Sequence, residues 1–125
     1  RVLRPGGAAV LVFSHPCFPQ SIASFGPFAR KLRYTWPFSY FVESRRVDPP
    51  WKHFRHEFVW YHRPLSVYFR AFRSAGFAVT DFEEPHLRPE RYHLAGSEAE
   101  LRKSTTRPYS VAFRLQKPSG AQEPL

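Results

Sequence analysis

Two histidines sit where this sequence could do chemistry. His15 comes just after the apolar run Ala8-Ala-Val-Leu-Val-Phe13, and His62 with Arg63 comes just before Pro64-Leu65-Ser66, where a helical pattern begins. The carboxyl end of a buried strand is where open α/β sheets collect ligands. There the His15 imidazole can take a proton or orient an acceptor hydroxyl; as a structural group it can instead bond the turn that holds it. The N–H groups and positive charge at His62 and Arg63 suit an anionic acceptor at a helix start. The alternative for His62 is that it caps the helix or packs beside Tyr61.

Other reactive types carry less. Cys17 is the single cysteine, so no internal disulfide can form, and no partner base marks it as a nucleophile. His53-Phe-Arg-His56 puts two histidines three apart, but a zinc site needs three or four convergent ligands. No metal is expected. The rings of Trp36, Phe38, Tyr40, Phe41, Trp51 and Trp60 are candidates for a lid over an apolar small molecule. Each can also be packing for a segment without regular structure.

The elements that must position these groups fall into four zones. A helix end and the turn Arg4-Pro-Gly-Gly7 lead into a strand at 8–14. That strand is apolar without alternation, as in strands covered on both faces. Residues 18–63 are aromatic and proline-rich with no sustained period, and read as an irregular insertion with a short helix near 21–32 and a short strand near 56–61. Leu65, Tyr68, Phe69, Phe72 and Ala75 recur at helical spacing over 64–75, closed by Gly76 and Phe77. A strand at 78–84, a polar connector with a single helical turn near 97–102, and a strand at 109–115 follow. Residues 118–125 read as a flexible tail.

Arg4-Pro-Gly-Gly7 before a strand, His15-Pro-Cys-Phe18 after it, Tyr61-His-Arg-Pro-Leu-Ser66 opening a helix and Ala75-Gly-Phe77 closing it are a combination with a precedent. In this order they resemble the C-terminal portion of a class I S-adenosylmethionine-dependent methyltransferase of the type 11, UbiE-like branch. The resemblance covers nearly all of residues 1–117, with 18–63 as an insertion. It implies an α/β fold holding part of a Rossmann-like sheet. The strands at 8–14, 78–84 and 109–115 would be its fifth, sixth and seventh, with the seventh antiparallel and lying between the other two. It also implies methyl transfer to a small organic acceptor, with His15 assisting and Phe18, Trp36, Tyr40, Trp60, His62 and Arg63 lining the acceptor site. The glycine-rich loop and strand-end acid that hold the cofactor in this family have no counterpart here, since Gly6-Gly7 precedes a strand and Asp81 and Glu83 lie within one. S-adenosylmethionine is therefore expected to bind only if the missing half is supplied, and the chain alone is expected to be inactive.

Charge and edges set the other expectations. The formal net charge is +9, and residues 1–63 hold ten Arg and Lys against Glu43, Asp48 and Glu57. Arg30, Lys31, Arg33, Arg45, Arg46, Lys52 and Arg55 interleave with rings, as in single-strand nucleic-acid binders, but prolines interrupt any regular platform and no recognised motif appears. Nucleic acid is not the expected partner. The strand at 8–14 would lack its usual neighbour, and an unpaired edge can hold a complementary chain or a second copy. With no apolar run near the roughly 20 residues of a membrane helix, a cytoplasmic protein is expected.

Overall fold

The structure is a computed structural model that describes residues 2–18, 22–25, 32–50 and 53–120. Gly6 turns the chain with φ of +73°, and the Gly7 N–H closes the turn on the Arg4 carbonyl at 2.9 Å. Strand β1 (Ala8–Ser14) follows. It pairs antiparallel with β7 (Ser110–Gln116), Ala8 opposite Gln116 and Ser14 opposite Ser110. Strand β6 (Ala78–Glu83) pairs antiparallel with the other edge of β7. The order β1–β7–β6 therefore makes β1 and β6 parallel to each other across an antiparallel centre. This is the arrangement expected of the fifth, seventh and sixth strands.

Parallel strands need a crossover, and helix α1 (Leu65–Ser74) supplies it. Its apolar side meets the sheet. Its first N–H, that of Leu65, donates to the Tyr40 hydroxyl at 2.9 Å. At its end Gly76 takes φ of +84°, the Phe77 N–H bonds the Phe72 carbonyl, and the Gly76 N–H bonds the Arg73 carbonyl. This is a Schellman motif, with Phe72 and Phe77 both folded onto the core. Val111, Phe113 and Leu115 of β7 are the buried centre. The Phe113 ring lies 5.2 Å from Phe72, 5.0 Å from Phe82 and 5.9 Å from Phe13.

Three expectations need correction. β1 is covered on one face only: Phe13 packs under α1, while Val10 and Val12 on the opposite face are each 64% exposed. The described residues supply one covering layer where the apolar run calls for two. The segment 18–63 is not irregular where it is described. It holds two antiparallel hairpins, β2 (Ile22–Phe25) with β3 (Leu32–Thr35) and β4 (Ser44–Asp48) with β5 (Phe58–His62). A helix near 21–32 is excluded at both ends, where β-branched and aromatic residues pair across strands; the sequence between them lies outside the described residues. The connector is also more ordered than expected, with a 3₁₀ segment at Pro89–Leu94 and a helix α2 (Glu98–Thr106) in place of a single turn. The Ser97 Oγ accepts from the Glu100 N–H at 3.1 Å, a capping signal readable in Ser97-Glu-Ala-Glu100. Among the described residues no helix is long and apolar enough to cross a membrane.

Candidate functional site

The carboxyl ends of β1 and β6 meet at His15. Its backbone N–H bonds the Tyr109 carbonyl at 2.8 Å, extending the β1–β7 ladder by one residue. Its ring is 5% exposed and both nitrogens are engaged. Nδ1 accepts from the Cys17 N–H at 3.1 Å, so Nε2 carries the hydrogen of the neutral ring and donates to Glu84 Oε1 at 3.0 Å. His15 thereby fixes the turn Pro16-Cys17-Phe18. The Phe18 ring lies tilted against that of His15 at 5.5 Å and meets Tyr34 and Trp36 of the first hairpin region edge-on at 5.9 and 6.1 Å. The Trp36 indole N–H donates to the Cys17 carbonyl at 3.2 Å.

Arg107, at the end of α2, is the residue that sequence reasoning missed here. It is 8% exposed, donates from one terminal nitrogen to the Phe18 carbonyl at 3.1 Å and from the other to the Tyr109 hydroxyl at 2.7 Å. Its guanidinium lies 5.2 Å from the Tyr34 ring and 4.6 Å from that of Tyr109. One planar cation so ties the insertion to the sheet. No spacing signal marks an arginine in a polar connector for such a place.

His62, Tyr40, Trp60 and Arg63 form a second group, around the start of α1. His62 is 5% exposed, and its Nε2 donates to the Tyr40 carbonyl at 2.8 Å. It does not cap α1; the Tyr40 hydroxyl does. The rings of Tyr40 and Phe38 lie 5.8 and 6.2 Å from that of His62. Arg63 pairs with Glu43 at 3.5 Å, and Arg46 grips Asp48 at 2.7 and 2.9 Å beneath Trp60. A pocket of about 190 Å³ opens between this group and the end of β1, walled by Phe13, Ser14 and Pro16 on one side and by Trp60, Tyr61, His62 and Tyr68 on the other. The expected site residues thus divide: Trp60 and His62 line the pocket, Tyr40 supports it, and Phe18 and Trp36 belong to the His15 cluster. Trp36, Phe38 and Phe41 are 42%, 39% and 80% exposed. Trp51, Arg30, Lys31 and Lys52 lie outside the described residues. His53 stacks on Phe54 at 4.5 Å, and no group of three metal-ligating side chains occurs among the described residues.

The sheet order with its antiparallel centre, the crossover helix and the cleft at the strand ends invite comparison with solved structures. The chain superposes on a candidate S-adenosylmethionine-dependent methyltransferase from Listeria monocytogenes with a TM-score of 0.68 and 25% identity, over 94% of this chain and 51% of that one. It superposes on an S-adenosylmethionine-dependent methyltransferase from Mesorhizobium loti with a TM-score of 0.64 and 23% identity, over 91% and 50%. The chain is distantly similar to such methyltransferases. It spans about half the length of these two relatives. No protein-family profile matches the sequence, and no curated protein does.

A methyltransferase needs a backbone cradle for its nucleoside donor, and the described glycines do not form one. A Cβ on Gly76, Gly96 or Gly120 would meet nothing within 4 Å, one on Gly6 would touch the Ser119 hydroxyl, and one on Gly7 would strike Leu3 and the Arg4 carbonyl. At the end of β1 His15 and Pro16 are buried, and the hollow beside them is the pocket of about 190 Å³ already described. The residues described here therefore do not fit the donor.

Proposed function

We propose that this chain supplies the acceptor side of a methyltransferase of the type 11 branch, and that the methyl donor is held by residues outside these 125. The observation that carries this reading is the β1–β7–β6 sheet order in a chain that superposes over about half the length of each methyltransferase relative. The missing half docks, in this reading, along the free edge of β1, the edge that β7 does not pair. A small organic acceptor occupies the pocket between the end of β1 and β5. His15 acts there as a positioning residue, because its two nitrogens are committed to Cys17 and Glu84 and the pocket wall it sets is Pro16.

A second reading, pairing of β1 with another copy of the chain, rests on the same edge and on the exposed Val10 and Val12. Reading the segment 30–63 as a nucleic-acid surface has less support, since Arg46 and Arg63 are paired with carboxylates. The test is calorimetric titration of S-adenosylmethionine into the chain alone and into a chimera carrying the remaining half of the Listeria protein. The chimera should bind the donor saturably and the chain alone should not. Saturable binding by the chain alone, or a folded chimera that binds none, contradicts the proposal.

A further inference from the structure

The free edge of β1 carries none of the features that protect a sheet edge. From Ala8 to Ser14 it has no charged residue and no proline, and its register with β7 runs without a bulge. The other edge of the sheet is guarded. β6 presents exposed Asp81 and Glu83 and shifts register between Val79 and Asp81. Native sheets use charges and bulges of this kind to keep other chains off. Apolar side chains are exposed on both faces of β1, Val10 and Val12 on one and Leu11, 39% exposed, on the other. Gly7 and His15 bond the β7 strand, and bonding positions alternate between them, so Ala8, Val10, Val12 and Ser14 turn their N–H and C=O groups outward. Among the described residues no strand pairs with these groups.

The sequence of β1 is close to a mirror of itself about Leu11. Val10 answers Val12, and the small Ala9 answers the large Phe13. Two such strands run antiparallel with Leu11 opposite Leu11 place each Val10 against Val12 of the second copy on the bare face. On the other face each Ala9 makes room for Phe13 of the second copy, and every outward N–H and C=O meets its counterpart. A shift of two residues sets Val12 against Ala8 or Val10 against Ser14 and loses the match. We propose that β1 is a homodimer edge, on which two copies of this chain join antiparallel about a two-fold axis at Leu11 and merge their three-stranded sheets into one. This deepens the second reading above, on which it rests, and names its register. The assembly closes at two copies, because pairing consumes both free β1 edges and leaves only the guarded β6 edges outside. The formal net charge of +9 on each copy opposes association, but none of that charge lies on β1, and salt screens the rest. A complementary methyltransferase half needs the same outward groups, so the two occupants exclude each other.

The experiment is sedimentation equilibrium of the 125-residue chain over a range of concentrations at physiological ionic strength, followed by disulfide cross-linking in a Cys17→Ser background, which removes the native thiol. A reversible monomer–dimer equilibrium that saturates at two copies is expected. Val12→Lys, at an exposed position, should raise the dimer dissociation constant at least about tenfold and leave the circular dichroism of the monomer unchanged. Leu11 meets its counterpart at a non-hydrogen-bonded position, with Cα atoms about 4.5 Å apart, which a disulfide can span. Leu11→Cys should therefore oxidise to a covalent dimer. Val10→Cys should not, because the two copies of residue 10 lie diagonally, about 7–8 Å apart. A chain that stays monomeric at every concentration, assemblies that grow past two copies, a dimer indifferent to Val12→Lys, or cross-linking of Val10→Cys as complete as that of Leu11→Cys would each overturn the proposal. None of these outcomes bears on donor binding by the chimera, which has its own titration.

Discussion

Arg107 is a buried cation whose geometry can be tested by its nearest chemical relative. A guanidinium can bond the Phe18 carbonyl and the Tyr109 hydroxyl while lying between two rings; an ammonium is a point charge without the plane. Arg107→Lys should therefore cost about 1–3 kcal/mol, read by urea unfolding, and should loosen the contact between Phe18 and the β2–β3 hairpin in nuclear Overhauser spectra. Unchanged stability with the contacts intact would show that charge alone suffices. At this scale the sequence was partly legible. His62 and Trp60 do reach one pocket, because both sit on a short strand entering a crossover helix. His15 was legible in place but its ring is spoken for, since Glu84 arrives from just past the end of β6, 69 residues away, and no local pattern announces that.

Elements differ in how far their own residues determine them. Helix α1 was readable in outline because its apolar spacing, the proline before it and the glycine after it all agree. Gly76 is the clearest instance. Its φ of +84° lies where L side chains are strained, while a Cβ there would meet nothing within 4 Å. Gly76→Ala should thus lose about 1–2 kcal/mol from backbone conformation alone, measured by thermal or urea unfolding, and a neutral result would mean the Schellman turn relaxes freely. Of the hairpin strands only β5 was readable, as the short strand expected near 56–61; β2, β3 and β4 are four or five residues long, too short for a pattern of their own. Tyr34 reaches Thr106 at 3.2 Å, a contact spanning 72 residues. α2 was under-read although Ser97 and Glu100 carried its start.

At the scale of the whole molecule the chain exposes more than its mass warrants. Its accessible surface is 9834 Å², whereas a compact monomer of its 14.7 kDa would expose about 6,900 Å² by the usual scaling. Part of the excess is the bare face of β1. The register gives this a sharper form. Lys117 donates to the Gly7 carbonyl and His15 to the Tyr109 carbonyl, both in the register that pairs Leu11 with Phe113. In an antiparallel ladder such bonding positions alternate, so the Ala9, Leu11 and Phe13 amides turn toward β7, and those of Val10 and Val12 point out of the sheet. The measurement that reaches the central claim most directly is residue-resolved amide hydrogen exchange along β1 in the monomeric chain. Leu11 and Phe13 should be protected while Val10 and Val12 exchange rapidly, and Val10 and Val12 should become protected when the complementary methyltransferase half is joined. Equal protection of all four in the isolated monomer would mean that β1 is already paired on both sides, and would contradict the account.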